Sequence, residues 1–259
     1  MNINRRRLLC RTLGLSASVA FGVSSAFAKA SDVEAAIQAI ADGASISEGK
    51  ITLKTPELAE NGYSVPVAVA VESPMTADSY VESVAIFADG NPQPDVITFN
   101  FTTESGEAFA STRLRLAKTQ NVIAVAKMSD GTIFSDTRAV EVTMADLAHN
   151  RRNNMIPRIK VPKTASAGDI IKIKSQLSHP MESGHRKDKE GTTIPRKIIN
   201  KFECLFDDAV VFSCDLNPAV ASSPYIEFRA KVEKSGTFSF KWTDDDGTVT
   251  DTEAEIEIS

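Results

Sequence analysis

Val65-Pro66-Val67-Ala68-Val69-Ala70-Val71 sets a β-branched residue at every second position. Side chains of an extended chain point alternately to opposite faces, so the valines form one continuous apolar face. A helix, with a period of about 3.6 residues, would scatter them around its circumference. The same habit extends in both directions. Lys50-Ile51-Thr52-Leu53 precedes this stretch, and Val81 to Phe87, Val96 to Phe101, Ala108 to Leu116, Val122 to Met128 and Ala139 to Thr143 follow it. Asn61-Gly62, Asp89-Gly90-Asn91-Pro92, Glu104-Ser105-Gly106 and Ser129-Asp130-Gly131 punctuate them with residues that favour turns. Short alternating strands between turns mark an antiparallel sandwich. About seven strands fit between Ile51 and Thr143, enough for one immunoglobulin-like unit.

From Met144 to Pro157 the alternation breaks. MADLAHNRRNNMIP has no period, carries adjacent arginines and ends in proline, as a linker does. A second β-series follows: Arg158 to Pro162, Asp169 to Lys174, Phe202 to Phe206, Val210 to Cys214, Tyr225 to Val232, Gly236 to Trp242 and Thr252 to Ile258. Asp207-Asp208 and Asp244-Asp245-Asp246-Gly247 read as hairpin turns, and Asn217 to Pro224 as an irregular crossover. The fold class is therefore all-β, with one immunoglobulin-like sandwich over residues 31–144, a linker over 145–157 and a second sandwich over 158–259. The two series show no self-similarity, so they are two modules and not a repeat. One helix is predicted, over Ser31 to Asp42. Ser31 or Asp32 can cap it, Val33, Ala36, Ile37 and Ile40 share a face, and Gly43 stops it.

The first 28 residues read as an export signal: a basic head, an apolar stretch from Leu13 to Val23, and an A-x-A cleavage site at Ala26-Phe27-Ala28. Asn4-Arg5-Arg6-Arg7-Leu8-Leu9 is similar to a twin-arginine signal, the alternative being an ordinary basic head. The apolar stretch is too short for a stable transmembrane helix, and no later segment reads as a span. Cleavage after Ala28 removes Arg5, Arg6, Arg7 and Arg11 and no acid, taking the formal charge from −5 to −9. The expectation is an acidic protein outside the cytoplasm, with no electrostatic footprint for nucleic acid.

Chemistry-bearing residues are sparse, and no catalytic constellation or cofactor motif stands out. His179 and His185, with Glu182 between them, are the nearest approach to a metal site, but solvated loop histidines are the simpler reading. Trp242, in step with Phe238 and Phe240, reads as core. Ser178 to Gly191 is the most polar, turn-rich stretch, and is either a binding loop or a plain solvated connection. Cys204 and Cys214 flank the Asp207-Asp208 turn. With a two-residue turn, Cys204 faces Val211 and Cys214 faces Lys201, and the thiols point to opposite faces. A register shifted by one residue would put them diagonally on the same face. Two partly buried thiols without a bridge are expected.

Thr55-Pro-Glu-Leu-Ala-Glu-Asn-Gly-Tyr-Ser-Val-Pro-Val67 is similar to a segment of SoxY, a periplasmic carrier of bacterial sulfur oxidation. Ser73 to Met75, Asn91 to Pro94, Ser111 to Ala117 and Val122 to Gly131 also resemble that family, in the same order. The second module resembles SoxZ through His179 to Asp188, Asp215 to Pro218, Asn217 to Pro224 and Trp242 to Gly247. The resemblance implies two sandwiches that associate tightly, here fused in one chain. It also implies a flexible Gly-Gly-Cys-Gly-Gly arm whose cysteine bears the sulfur substrate. This sequence departs from the family there: after Ala139-Val-Glu-Val-Thr143 stands Met144-Ala-Asp-Leu-Ala-His-Asn-Arg-Arg152, without glycine or cysteine. The expectation is a carrier or adaptor, not an enzyme, that needs no cofactor. Its partners would be oxidoreductases or cytochromes of sulfur oxidation, or a quinoprotein dehydrogenase. His179, Met181, Glu182, His185, Arg186 and Asp188 would form its docking loop. The alternative is a covalent sulfur carrier using Cys204 or Cys214.

Overall fold

The computed structural model describes residues 30–143 and 156–259. The expected export signal, His149 and all but the end of the expected linker lie outside the described residues. Helix α1 (Ala30–Ala41) opens the first module, as the spacing of its apolar residues predicts. Strands follow as β1 (Ile46–Ser47), β2 (Ile51–Lys54), β3 (Leu58–Ala59), β4 (Val65–Val71), β5 (Val81–Ala88), β6 (Asp95–Phe101), β7 (Ala108–Leu114), β8 (Gln120–Met128) and β9 (Ile133–Val142). The second module contains β10 (Pro157–Lys160), β11 (Thr164–Ala165), β12 (Asp169–Leu177), β13 (Ile199–Phe206), β14 (Ala209–Leu216), β15 (Tyr225–Val232), β16 (Gly236–Asp244) and β17 (Val249–Ile258). The two-residue strands β1, β3 and β11 pair in parallel with β9, β9 and β17. They are too short to show an alternation in sequence. No helix among the described residues is long and apolar enough to cross a membrane.

The strands form two sheets, and both sheets pass through both modules. The larger runs β1-β9-β8-β5-β6-β14-β13-β16-β17-β11, with β3 also on β9, and the smaller runs β10-β12-β15-β7-β4-β2. The modules therefore join edge to edge. In one sheet β6 pairs antiparallel with β14, setting Phe101 opposite Phe212 and Phe99 opposite Cys214. In the other, β15 pairs with β7 through Glu227–Ser111 and Phe228–Ala110. An exposed sheet edge is a row of unpaired N–H and C=O groups, and pairing satisfies both edges at once. Sequence periodicity predicts two sandwiches with an interface of unstated form; the interface is the sandwich itself, continued.

One core cluster fills the space between the sheets across the seam. Phe212 stacks on Phe228 with centroids 4.3 Å apart and meets the edge of Phe101 at 5.4 Å. Trp242, Phe238 and Phe240 are buried in this cluster, as their alternation implies. Strand β5 departs from strict alternation, because Val84 to Ala88 are all buried. Val84 and Ile86 face the main core, whereas Ala85 and Phe87 pack under α1 with Val33, Val125 and Ile133. A helix laid on a sheet's outer face buries that face too.

Candidate functional site

The segments that interrupt the alternation converge where the modules meet. Residues 62–63, 91–93 and 115–117 of the first module face residues 182–187 and 218–219 of the second across a cleft of about 490 Å³. Asn91 is buried and holds the first wall. Its amide donates to the Arg115 carbonyl at 2.8 Å, and its Oδ1 accepts from the Ala117 N–H at 2.9 Å and from Gln120 Nε2 at 3.0 Å. Gln120 Oε1 in turn accepts from the Gly90 N–H at 2.7 Å. The Leu116 N–H donates to the Gly62 carbonyl at 2.7 Å. A Cβ at position 62 would collide with the Leu116 carbonyl oxygen, so this approach of two backbones requires glycine.

Arg115 crosses the seam. Its Nη1 donates to the Met181 carbonyl at 2.6 Å and, at a longer 3.5 Å, to that of Pro218, while Nη2 donates to the Pro180 carbonyl at 3.0 Å. Its backbone N–H donates to the Ala219 carbonyl at 2.7 Å. A guanidinium offers five donors in a fixed fork, so one side chain can hold two loops in register. Burial pushes the Arg115 guanidinium below its ordinary pKa, against the opposing influence of Glu182 and Tyr63.

The loop from Ser178 to Pro195 is not uniformly solvated. His179 is 2% exposed, which corrects the expectation of a solvated histidine. Its Nδ1 accepts from the Met181 N–H at 3.0 Å, and its Nε2 lies 3.0 Å from Asp244 Oδ2. With Nδ1 accepting, the neutral ring carries its proton on Nε2 and donates it to Asp244. Burial lowers the imidazole pKa, although Asp244 pulls the other way. Both ring nitrogens are thus engaged, leaving His179 no lone pair for a metal. Among the described residues no group of three or more His, Cys, Asp or Glu is placed to hold a metal ion.

Met181 is buried at φ 51° and turns the chain into the cleft wall. Glu182 pairs with Lys197 through both backbone groups, and its Oε2 accepts from Arg186 Nε at 3.1 Å and Nη2 at 2.6 Å. Glu182, His185 and Arg186 line the cleft. Asp188 does not; it is exposed, and its Oδ1 accepts from the Glu190 and Thr192 backbone N–H groups at 3.0 and 2.8 Å, closing the far turn. Arg115 and Asn91, which organise the cleft, carry no signal of their own in sequence beyond sitting in Asn91 to Pro94 and Ser111 to Ala117, segments that resemble the family.

Cys204 and Cys214 are unbridged and 0% exposed. The turn between them has two residues, with Asp207 and Asp208 both at positive φ, the geometry of a tight hairpin. A bulge between Cys204 and Leu205 nevertheless shifts the register, so Cys204 faces Phe212 and Cys214 faces Phe202. Both thiols therefore lie on the core face, in place of the opposite faces that a two-residue turn without a bulge predicts. Burial pushes both thiol pKa values well up, with the Asp215 charge adding to the effect at Cys214.

Residues 37–145 match the family model of the sulfur oxidation protein SoxY, and residues 159–255 that of the sulphur oxidation protein SoxZ. The structure of the sulfur carrier protein SoxY from Chlorobium limicola f thiosulfatophilum is 34% identical, covering 45% of this chain and 100% of that one, with a TM-score of 0.39. A superoxide reductase (neelaredoxin) from Ignicoccus hospitalis is 16% identical, covering 40% of this chain and 80% of that one, with a TM-score of 0.30. The fibronectin(III)-like modules of Clostridium thermocellum CbhA are 19% identical, covering 81% of this chain and 94% of that one, with a TM-score of 0.26. No curated protein matches the chain.

Proposed function

Because the chain belongs to the SoxY–SoxZ family of sulfur-oxidation carriers, with both modules in one polypeptide, we propose that it is a periplasmic carrier or adaptor that docks oxidoreductases without a covalent thiol arm. The burial of both described cysteines carries this reading. A sulfur carrier needs a thiolate that partner enzymes can reach. Cys204 and Cys214 are 0% exposed on the core face of a continuous sheet, and no cysteine stands between Cys10 and Cys204 where the family's arm would be. The cleft at the seam supplies the alternative means of recognition. It draws on both modules, and its second wall is the loop that resembles SoxZ. The partner is an oxidoreductase or cytochrome of sulfur oxidation, or a quinoprotein dehydrogenase.

Intact-mass measurement of the chain isolated from periplasm, before and after incubation with thiosulfate and a periplasmic extract, tests this. The expected result is one unmodified mass. A stoichiometric sulfur adduct mapped to Cys204 or Cys214 overturns the proposal and restores a covalent carrier.

A further inference from the structure

The cleft between the modules has a charge balance unlike that of the chain. Arg115, Arg186 and Lys187 line it against the single carboxylate of Glu182, in a sequence of net charge −5. Glu182 is already engaged by Arg186, at 2.6 Å. Arg115 and Lys187 form no ion pair among the described residues. Arg115 uses three of its five N–H groups on the carbonyls of Pro180, Met181 and Pro218. Arg115 is half-buried, and the carboxylate that acts on it, Glu182, makes its ion pair with Arg186 instead, so the guanidinium keeps donors to which a bound anion could add a direct charged partner. The remaining lining is largely apolar, from Tyr63, Pro92, Leu116, Ala117, Pro218 and Ala219. A volume of about 490 Å³ lies within the range of sites that enclose small organic molecules.

We propose that this cleft binds a small organic oxyanion, a carboxylate or sulfonate on an apolar body of one or two rings. The oxyanion meets Arg115 and Lys187, and the body lies against Leu116, Ala117 and Pro218. The proposal rests on the reading of the chain as a thiol-free carrier and gives that carrier a non-covalent cargo. The cargo's charge is read by side chains of both modules, so binding depends on their union. Inorganic oxyanions alone would leave the apolar walls wet. A neutral molecule of the same shape would forgo the charged contact with Arg115 and Lys187.

Calorimetric titration of the mature chain with naphthalene-2-carboxylate, naphthalene-2-sulfonate, naphthalene-2-carboxamide and thiosulfate tests this. We expect one site per chain for at least one aromatic anion, with a Kd of about 0.1 mM or tighter and about tenfold weaker binding of the amide. Lys187→Glu, at an exposed position, should weaken the anion about two- to fivefold and leave the amide unchanged. Ala117→Phe should remove binding of both by filling the cleft, with the circular dichroism of the fold retained. Equal affinity for acid and amide, thiosulfate binding as tightly as the aromatic anions, unaltered binding to Ala117→Phe, or no binding at 5 mM would each overturn the proposal. Intact mass measured on the same samples separates the two readings. A Cys204 or Cys214 adduct with anion binding intact defeats only the thiol-free carrier, and a clean mass without binding defeats only the cleft.

Discussion

His179 Nε2 and Asp244 Oδ2 stand 3.0 Å apart although 65 residues separate them in the chain. Asp244 ends β16, and its carboxylate also accepts from the Asp245 backbone N–H at 2.7 Å. The imidazole thus fastens the base of the cleft's second wall to a hairpin of the larger sheet. Its other nitrogen fixes Met181, whose carbonyl receives Arg115. A buried hydrogen bond to a carboxylate, a left-handed turn and a cross-module guanidinium therefore act in series.

Replacing His179 by Ala should cost about 2–3 kcal/mol, because it leaves the Asp244 carboxylate buried without that donor. Urea unfolding of the purified protein measures it. The pH dependence has a definite sign. An unfolded chain protonates this imidazole near the ordinary 6.5, whereas the folded chain resists protonation to lower pH. Stability is therefore full above about 6.5 and falls as the pH drops below it, until the folded ring protonates. His179→Gln should flatten that slope between pH 6.5 and the carboxylate range. An unchanged slope would show that His179 is not its source.

Cys204 and Cys214 should alkylate slowly in the native protein and both react at once in 6 M guanidinium chloride. Burial raises their pKa and excludes reagent, so labelling must wait for the sheet to open. The rate constant for iodoacetamide, followed by mass, should rise with urea in step with global unfolding. Rapid labelling of one thiol at neutral pH without denaturant would contradict the burial described here.

The aromatic seam should make the two modules unfold as one. Phe212 is 0% exposed and lies between Phe228, Phe202 and the first module's Phe99 and Phe101. Phe212→Ala should cost about 3–5 kcal/mol and lower a single transition seen by both circular dichroism and Trp242 fluorescence. Two separated transitions would refute the shared core. By the same reasoning, a protease site inserted between Asn150 and Arg151 and cut in the folded protein should leave halves that co-elute on gel filtration.

The hairpin at Asp207-Asp208 should accept glycine with profit. Asp208 is exposed at φ 69°, a conformation that costs a residue with a Cβ more than it costs glycine. Asp208→Gly should stabilise the protein by about 0.5 kcal/mol, read as a raised urea midpoint. Asp207→Gly should not, because Asp207 Oδ1 accepts from the Thr237 N–H at 3.0 Å and Oδ2 pairs with Lys234 at 2.7 Å.

Alternation from Val65 to Val71 specified a strand and its buried face because both are local: the pleat repeats every two residues whatever the chain pairs with. The same holds for β15 (Tyr225–Val232), for the helix over Ala30–Ala41, and for Trp242 among the core aromatics. Pairing is not local, and no periodicity in β6 or β14 names Phe101 and Phe212 as opposite numbers across the module boundary. The bulge after Cys204 carries no residue that demands it, yet it turned both thiols into the core. Polarity marked the loop from Ser178 to Gly191 as exposed, and for Asp188 that was sufficient. It failed for His179, because a polar side chain is buried wherever a distant partner satisfies it, and Asp244 is brought alongside only when β12 and β16 take their places in opposite sheets.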